Sequence, residues 1–498
     1  MKKSVPIKIN TGPFKEIERN LRLTNAVKKI KEETPILKYF KISGLNGYKN
    51  IAINFETSVK VVASENGAGK TTVMNALYGI LTGKSEGISK IDFDHIEIEF
   101  RIGELKRFEK KDLVVHGGMA KAITDSKFND FILEHWNISS ADIEDLLNSF
   151  EAGSLEDHPL YERIYFESPY DKDDIQKAFE RLQACAGEAQ VGWKELQSLV
   201  KEALGDIEVI YLPTYRRVEV DLPQFRKSSS GRRGRSQRFI KNEIIKNDDL
   251  INFGLSDVEE KLSKLLEEIK ESTLSAYSQI SRNTLQQLAI KNNPEETADV
   301  DFEKDEIKVI FARLPEDNSA AESAVLDLIE SGAINDSENR NLKNFLSQLV
   351  DAFNETRGRE VTINKFVTVV NHYLSLGIKE KEFIYDKYNV RVDLKNTIKD
   401  SMLKLNNLSS GEKQVVSIFS RMCLDRIRKA VVLIDEPELS LSIDWQKILL
   451  PDIWLTGNCA QLIAITHSPF VFENRFDPFA GSMKISYAEN KDEDEIHG

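Results

Sequence analysis

Three cysteines in 498 residues, Cys185, Cys423 and Cys459, share no metal-binding or disulfide spacing. A disulfide scaffold and a thiolate metal centre are thereby excluded, and the usage suits a reducing cytoplasm. No apolar run reaches the roughly 20 residues that a membrane span needs, and the opening MKKSVPIKIN has basic residues without a following apolar core. A spanning helix and a signal peptide are not expected, which points to a cytoplasmic protein with no membrane partner. Positive charge is also in deficit: 68 Lys and Arg stand against 81 Asp and Glu, for a net charge of −13. Such a chain is not coated in positive potential, so any nucleic-acid contact must be local. The rest of the composition is ordinary for a globular protein, at 41% hydrophobic and 30% charged, and leaves ample core for more than one domain.

Against that background one stretch stands out, VVASENGAGKTTVMNAL at 61–77. Holding phosphate oxygens takes successive backbone N–H groups, and hence residues with little or no side chain where the main chain curls around the ligand. Gly67, Ala68 and Gly69 supply them, with Asn66 leading in and Thr72 following. Lys70 is placed to reach the β and γ phosphates of a nucleotide as a point charge, and the Thr71 hydroxyl suits a Mg²⁺ ligand position. The pattern G-x-x-x-x-G-K-[ST] asks for glycine where this chain has Ser64, the next smallest polar residue. KVVAS (60–64) reads as a buried strand and TTVMNALYGIL (71–81) as a helix ended by Gly83, so a helix N-terminus adds partial positive charge beneath the phosphates.

A second half-site lies far down the chain. AVVLIDEPELSL (430–441) runs apolar from Val431 to Ile434 and then meets Asp435 and Glu436. A continuous apolar run fits a parallel strand covered on both faces, with its carboxyl end at the ligand. Asp435 would hold the Mg²⁺ shell and Glu436 would polarise the attacking water as general base. LNNLSSGEKQVVSIFSRM (405–422) sets a Leu408-Ser409-Ser410-Gly411-Glu412 turn at the start of an amphipathic helix. QLIAITHSPF (461–470) puts His467 just past another apolar strand. A serine there is commonly only an N-cap, and a lone histidine at a strand end only structural; the joint order of the four segments is what points to one site.

That order resembles the ATP-binding-cassette type of head found in SMC, RecF and OLD-like ATPases. LSSGE looks like the signature motif, LIDEPE like Walker B, Ser440-Leu441-Ser442 like the D-loop and His467 like the switch histidine, while KYFKISGLNGYKNIAINF (38–55) is similar to the opening hairpin. Two positions depart from the pattern: Ser64 replaces the usual glycine, and Ser442 stands where OLD-like relatives often have histidine. The resemblance implies ATP and Mg²⁺ as ligands, with Lys70, Glu436 and His467 in catalysis. It also implies that Ser409 and the Gly411 N–H of one copy face the γ-phosphate of another, at least a head-to-head dimer.

The expected fold is α/β: a P-loop ABC-type head assembled from N- and C-terminal segments around a mainly helical insertion. The boundaries read as an N-terminal extension (1–35), head (36–125), helical insertion (126–205), a head strand (206–222), a further helical insertion (223–380), head (381–490) and an acidic tail (491–498). LSDVEEKLSKLLEEIKES (255–272) has a heptad seam of two repeats, enough for a short helical pair and not for a long arm. Within RKSSSGRRGRSQRFIK (226–241), Arg226, Arg232, Arg233, Arg235, Arg238 and Lys241 gather with no acid among them. Serine and glycine make a solvated linker of it, or else a phosphate-contacting patch; both readings stay open.

About thirty residues follow His467, too few for the TOPRIM domain of OLD nucleases, and His95, His116, His135, His158, His372 and His497 are dispersed, with no H-N-H arrangement. A nuclease would act in trans. A stand-alone ATPase with a helical insertion and a Pro213-Thr214-Tyr215-Arg216-Arg217 segment resembles the PtuA family of Septu anti-phage systems, some of them retron-associated. That resemblance implies a homo-oligomer, an HNH-type nuclease partner and, in retron settings, reverse transcriptase and retron DNA. A PARIS-type sensor ATPase is a close cousin; a RecF-like or SMC-like repair ATPase that binds DNA directly is the alternative from another class.

Overall fold

A computed structural model describes residues 13–65, 67–113, 161, 172–213, 255–290, 302–314, 318–425 and 427–487. Asn66, residues 126–160 and 214–217, the basic stretch 226–241 and the acidic tail 491–498 lie outside the described residues. Two compact units emerge, one made of 1–213, 428–438 and 447–498, the other of 214–427 and 439–446.

The first unit holds two five-stranded sheets. The parallel one is made of β3 (Val59–Ala63), β6 (Glu208–Leu212), β10 (Ala430–Asp435), β11 (Cys459–Thr466) and β12 (Ala480–Ser482), in the order β12-β3-β11-β10-β6, and β10 holds the apolar run Val431 to Ile434. All six residues of β10 are buried, as a central strand flanked by neighbours on both edges and covered on both faces must be. Its partners are in register from Val431 opposite Gln461 and Val209 through Ile434 opposite Ala464 and Leu212. The antiparallel sheet is made of β1 (Leu37–Leu45), β2 (Lys49–Asn54), β4 (His95–Phe100), β5 (Lys106–Glu109) and β13 (Lys484–Tyr487). The IEIEF pattern of β4 shows the alternation plainly, Ile96, Ile98 and Phe100 being buried and the acids between them half-exposed.

A helix, α1 (Pro13–Glu32), precedes the sheets, and α2 (Lys70–Thr82) follows β3. The core joins inward residues of both sheets, such as Phe40, Ile51, Leu433 and Ile463, to Val73, Met74 and Leu77 of α2. One polar stitch crosses it: the fully buried Gln461 of β11 accepts from the Leu37 N–H at 2.8 Å and donates to the Leu37 carbonyl at 2.9 Å. Both groups of its amide are thereby satisfied, the condition for burying them at all. Where α2 ends, Gly83 adopts the left-handed conformation that a C-cap requires, with φ of 70°.

The second unit is mainly helical. Its long members are α3 (Leu255–Ile290) and α4 (Arg340–Leu376), which pack on one another. α3 runs 36 residues, well beyond the seam expected over 255–272. Good helix formers continue to Ile290 while the apolar stripe thins, leaving Leu274, Leu285 and Leu288 exposed. A three-stranded antiparallel sheet of β7 (Lys381–Asp386), β8 (Arg391–Asn396) and β9 (Ser401–Leu403) leans on α4, where the Asn371 amide bonds both backbone groups of Phe383. The helix α5 (Ser410–Cys423) follows it. Residues 381–427, expected in the second part of the head, thus group with the helical unit: among the described residues their strands pair with each other and no others, and β7 seats on α4. A further helix, α6 (Ile443–Leu455), starts in this unit and finishes in the first. Among the described residues no helix is long and apolar enough to cross a membrane.

Candidate functional site

Three parallel strands end side by side, and each contributes to one cluster. β3 leads into the phosphate-type loop, where Gly67 has φ of 77° and Gly69 of 92°. Only glycine takes such angles without cost, and a Cβ on Gly69 would also come within 2.9 Å of the Ile51 side chain. Ser64, the departure from the motif, is not among the residues with positive φ, so its backbone does not require glycine. Its N–H donates to the Thr466 carbonyl at 3.2 Å, which ties the loop's start to β11. At the other end the Lys49 ammonium donates to the Gly67 carbonyl at 3.0 Å.

From the first turn of α2, Lys70 and Thr71 face two different acids; Thr72 follows them in the same turn. The Thr71 hydroxyl donates to Asp435 Oδ2 at 2.9 Å, and Asp435 is only 2% exposed. The Lys70 amine is 3.4 Å from Glu436 Oε1, 3.5 Å from the Ser64 carbonyl and 3.0 Å from His467 Nδ1, and it also touches Nε2 of that ring. His467 Nε2 in turn lies 3.2 Å from Glu436 Oε1. Lys70 is buried at 6% side-chain exposure, while Glu436 at 21% and His467 at 29% line the open side. Glu436 sits at φ of 50°, a left-handed backbone that costs a residue with a Cβ about 1–2 kcal/mol. Its N–H bond to the Ile465 carbonyl, at 2.9 Å, holds it there.

The structure therefore brings together Lys70, Thr71, Asp435, Glu436 and His467, with Gly67, Ala68 and Gly69 beside them. Ser409 and Gly411 belong to the other unit. There Ser409 caps α5, its hydroxyl accepting from the Glu412 N–H at 3.4 Å while Glu412 accepts from the Ser409 N–H at 2.6 Å. Lys381 pairs with Glu412 at 2.7 Å. Gly411 is buried, and a Cβ on it would meet the Ser440 carbonyl at 2.4 Å, so that glycine is required by a close approach of two backbones.

Three participants escaped the sequence reading. Lys49 carried no signal beyond being a basic residue in the opening hairpin. Glu438 was legible only as one more acid after Asp435 and Glu436, and Thr466 only as the end of an apolar strand. Each acts through a contact with a residue distant in the chain.

A hydroxyl and a carboxylate at 2.9 Å are hard oxygen donors of the kind Mg²⁺ prefers, so Thr71 and Asp435 fit that ion. Main-chain N–H groups at a helix N-terminus beside a buried lysine fit a triphosphate.

Comparison with known proteins accords with this chemistry. Residues 36–472 match the family described as AAA ATPase domain. The fold is accordingly that of a P-loop ABC-type ATPase head, α/β, with a helical insertion. The DNA replication and repair protein RecF of Clostridium kluyveri is 31% identical over 80 residues, 15% of this chain. The chain spans 22% of the length of that relative. Among solved structures, the Smc head domain of Pyrococcus furiosus, with an extended coiled coil and bound to the C-terminal domain of ScpA, is similar at 12% identity. That likeness covers 91% of this chain and 96% of that one with a TM-score of 0.30. The Smc head domain of Pyrococcus yayanosii follows at 13% identity, 91% and 97% coverage, and a TM-score of 0.29.

Proposed function

Since this chain belongs to the AAA ATPase domain family, we propose that it binds ATP with Mg²⁺ at the ends of β3, β10 and β11 and hydrolyses it. The observation that carries this reading is the meeting of Lys70, Thr71, Asp435, Glu436 and His467 in one cluster from segments up to 397 residues apart. Gly67, Ala68, Gly69 and Thr72 offer N–H groups to the phosphates, and Lys70 adds a point charge. Thr71 and Asp435 would hold Mg²⁺, which when bound neutralises the charge developing on the phosphates. Glu436 takes the proton of the attacking water, and His467 contacts the γ-phosphate.

Ser409 and the Gly411 N–H of a second copy complete the site, so nucleotide sets head association. Such a switch carries no chemistry beyond hydrolysis, and the expected role is the regulatory ATPase of a cytoplasmic anti-phage complex. A separate HNH-type nuclease is the controlled partner, and reverse transcriptase with retron DNA joins it in retron settings. The head with its helical insertion supports this role.

The RecF similarity favours a second reading, an ATPase that binds DNA directly. Phosphate release measured on the purified chain tests the shared core: turnover that Glu436→Gln abolishes is expected, and none in the wild type would sink it. Gel-shift titration with gapped duplex DNA, with and without ATP, divides the two roles. ATP-dependent binding by the chain alone favours repair; binding or cleavage only with the nuclease present favours defence.

A further inference from the structure

One carboxylate outside the assigned set makes three bonds to the segment that carries His467. Glu438 lies just past Pro437 at the exit of β10. Its Oε1 accepts from the backbone N–H groups of His467 at 2.6 Å and Ser468 at 3.2 Å, and its Oε2 accepts from the Thr466 hydroxyl at 2.7 Å. The same Thr466 oxygen accepts from the Ser468 N–H at 3.0 Å.

The placement is informative because β11 ends at Thr466. His467 and Ser468 stand between that strand and the short turn at Pro469–Val471, so no ladder fixes their backbone. The direction of the His467 imidazole, against Lys70 and 3.2 Å from Glu436, then depends on whatever holds residues 466–468. Glu438 holds all three. A carboxylate is an acceptor-only group with room for several donors, and its charge makes each bond roughly twice as strong as a neutral one.

We propose that Glu438 is a positioning residue: it locks the exit of β11 to the exit of β10, so that the histidine and the general-base carboxylate keep a fixed separation during ATP hydrolysis. This rests on the hydrolysis reading above. Glu438 itself takes no proton and touches no phosphate. What matters is therefore its acceptor geometry, and the isosteric amide preserves most of it. In Glu438→Gln the amide oxygen still accepts both N–H groups, and the Thr466 oxygen can turn to accept from the amide nitrogen.

Steady-state phosphate release, equilibrium binding of a fluorescent ATP analogue and hydrogen exchange of the peptide spanning 466–468 test this on the full chain. Glu438→Ala is expected to lower kcat on the order of 100-fold, the cost of a misplaced catalytic group. Analogue affinity should stay within about twofold, since no phosphate contact is lost, and exchange at 466–468 should speed up. Glu438→Gln should keep kcat within about threefold of wild type.

Unchanged kcat or unchanged exchange in Glu438→Ala overturns the proposal. So does a Glu438→Gln chain as slow as Glu438→Ala, which would make the charge itself the requirement. Should Glu438→Ala fail to fold, Glu438→Asp replaces it: the shortened arm cannot reach all three donors, so the same loss of kcat is expected and wild-type kcat is the overturning result. If the wild type shows no turnover, the hydrolysis reading falls by itself, and the exchange measurement alone decides whether Glu438 holds the segment.

Discussion

At the scale of single residues, the proposed ATP site divides binding from chemistry, and each half can be tested. Lys70 is buried and aimed across the loop at Glu436 and His467, so its charge contributes wherever the phosphates sit. Lys70→Ala is expected to remove detectable nucleotide binding, measured with a fluorescent ATP analogue; retained affinity would contradict its role. Glu436→Gln keeps the side chain's volume and removes its basicity. Binding should persist while phosphate release falls about 100-fold or more, the usual scale for loss of a general base. The cysteines make an independent prediction. Burial pushes the Cys423 thiol up to about 11, and burial raises Cys459 still further above the ordinary range. Little thiolate is present near neutral pH and the sulfurs are enclosed, so neither should react with iodoacetamide at pH 8 until denaturant is added. Mass spectrometry of the digested protein would read this directly.

Elements carry the next layer of consequence. The two sheets of the first unit are joined through Gln461, whose amide satisfies both backbone groups of Leu37. Gln461→Ala would leave a buried donor and a buried acceptor without partners. The expected loss is about 2–5 kcal/mol, seen as a lower denaturation midpoint without a change in slope. In the second unit, Arg313 and Glu360 form a buried pair at 2.9 Å, and the guanidinium also donates twice to the Lys387 carbonyl. Arg313→Ala strands the carboxylate, and a cost of about 3–5 kcal/mol is expected from removing one partner of such a pair. Neither link had a readable signature, because a glutamine in an apolar strand and an arginine at a helix end look unremarkable until their partners arrive from 424 and 47 residues away.

For the whole molecule, the testable consequence is ATP-dependent association. In Glu436→Gln, ATP that is bound and not hydrolysed should accumulate the head-to-head pair. Light scattering after size exclusion should then report about twice the 56.7 kDa of one chain, and a monomer under saturating ATP would remove the trans role of Ser409 and Gly411. Differential affinity for nucleotide is what drives such a switch, and adding Lys70→Ala to the same chain should abolish the dimer.

Local chemistry was enough for much of this. Phosphate-loop glycines at positive φ, the apolar run of β10 and acids at a strand's carboxyl end follow from short-range sterics and burial, so the loop, β10 and the opening hairpin were legible in the order of residues. The extent of α3, the grouping of 381–427 with the helical unit, and the parts played by Lys49, Glu438 and Gln461 were not. Each depends on which distant backbone groups are left needing a partner after folding, and a one-dimensional pattern does not contain that. Sequence set the chemistry available at the site; only tertiary structure decided which atoms hold it in place, since hydrogen-bond partners are chosen by proximity in space.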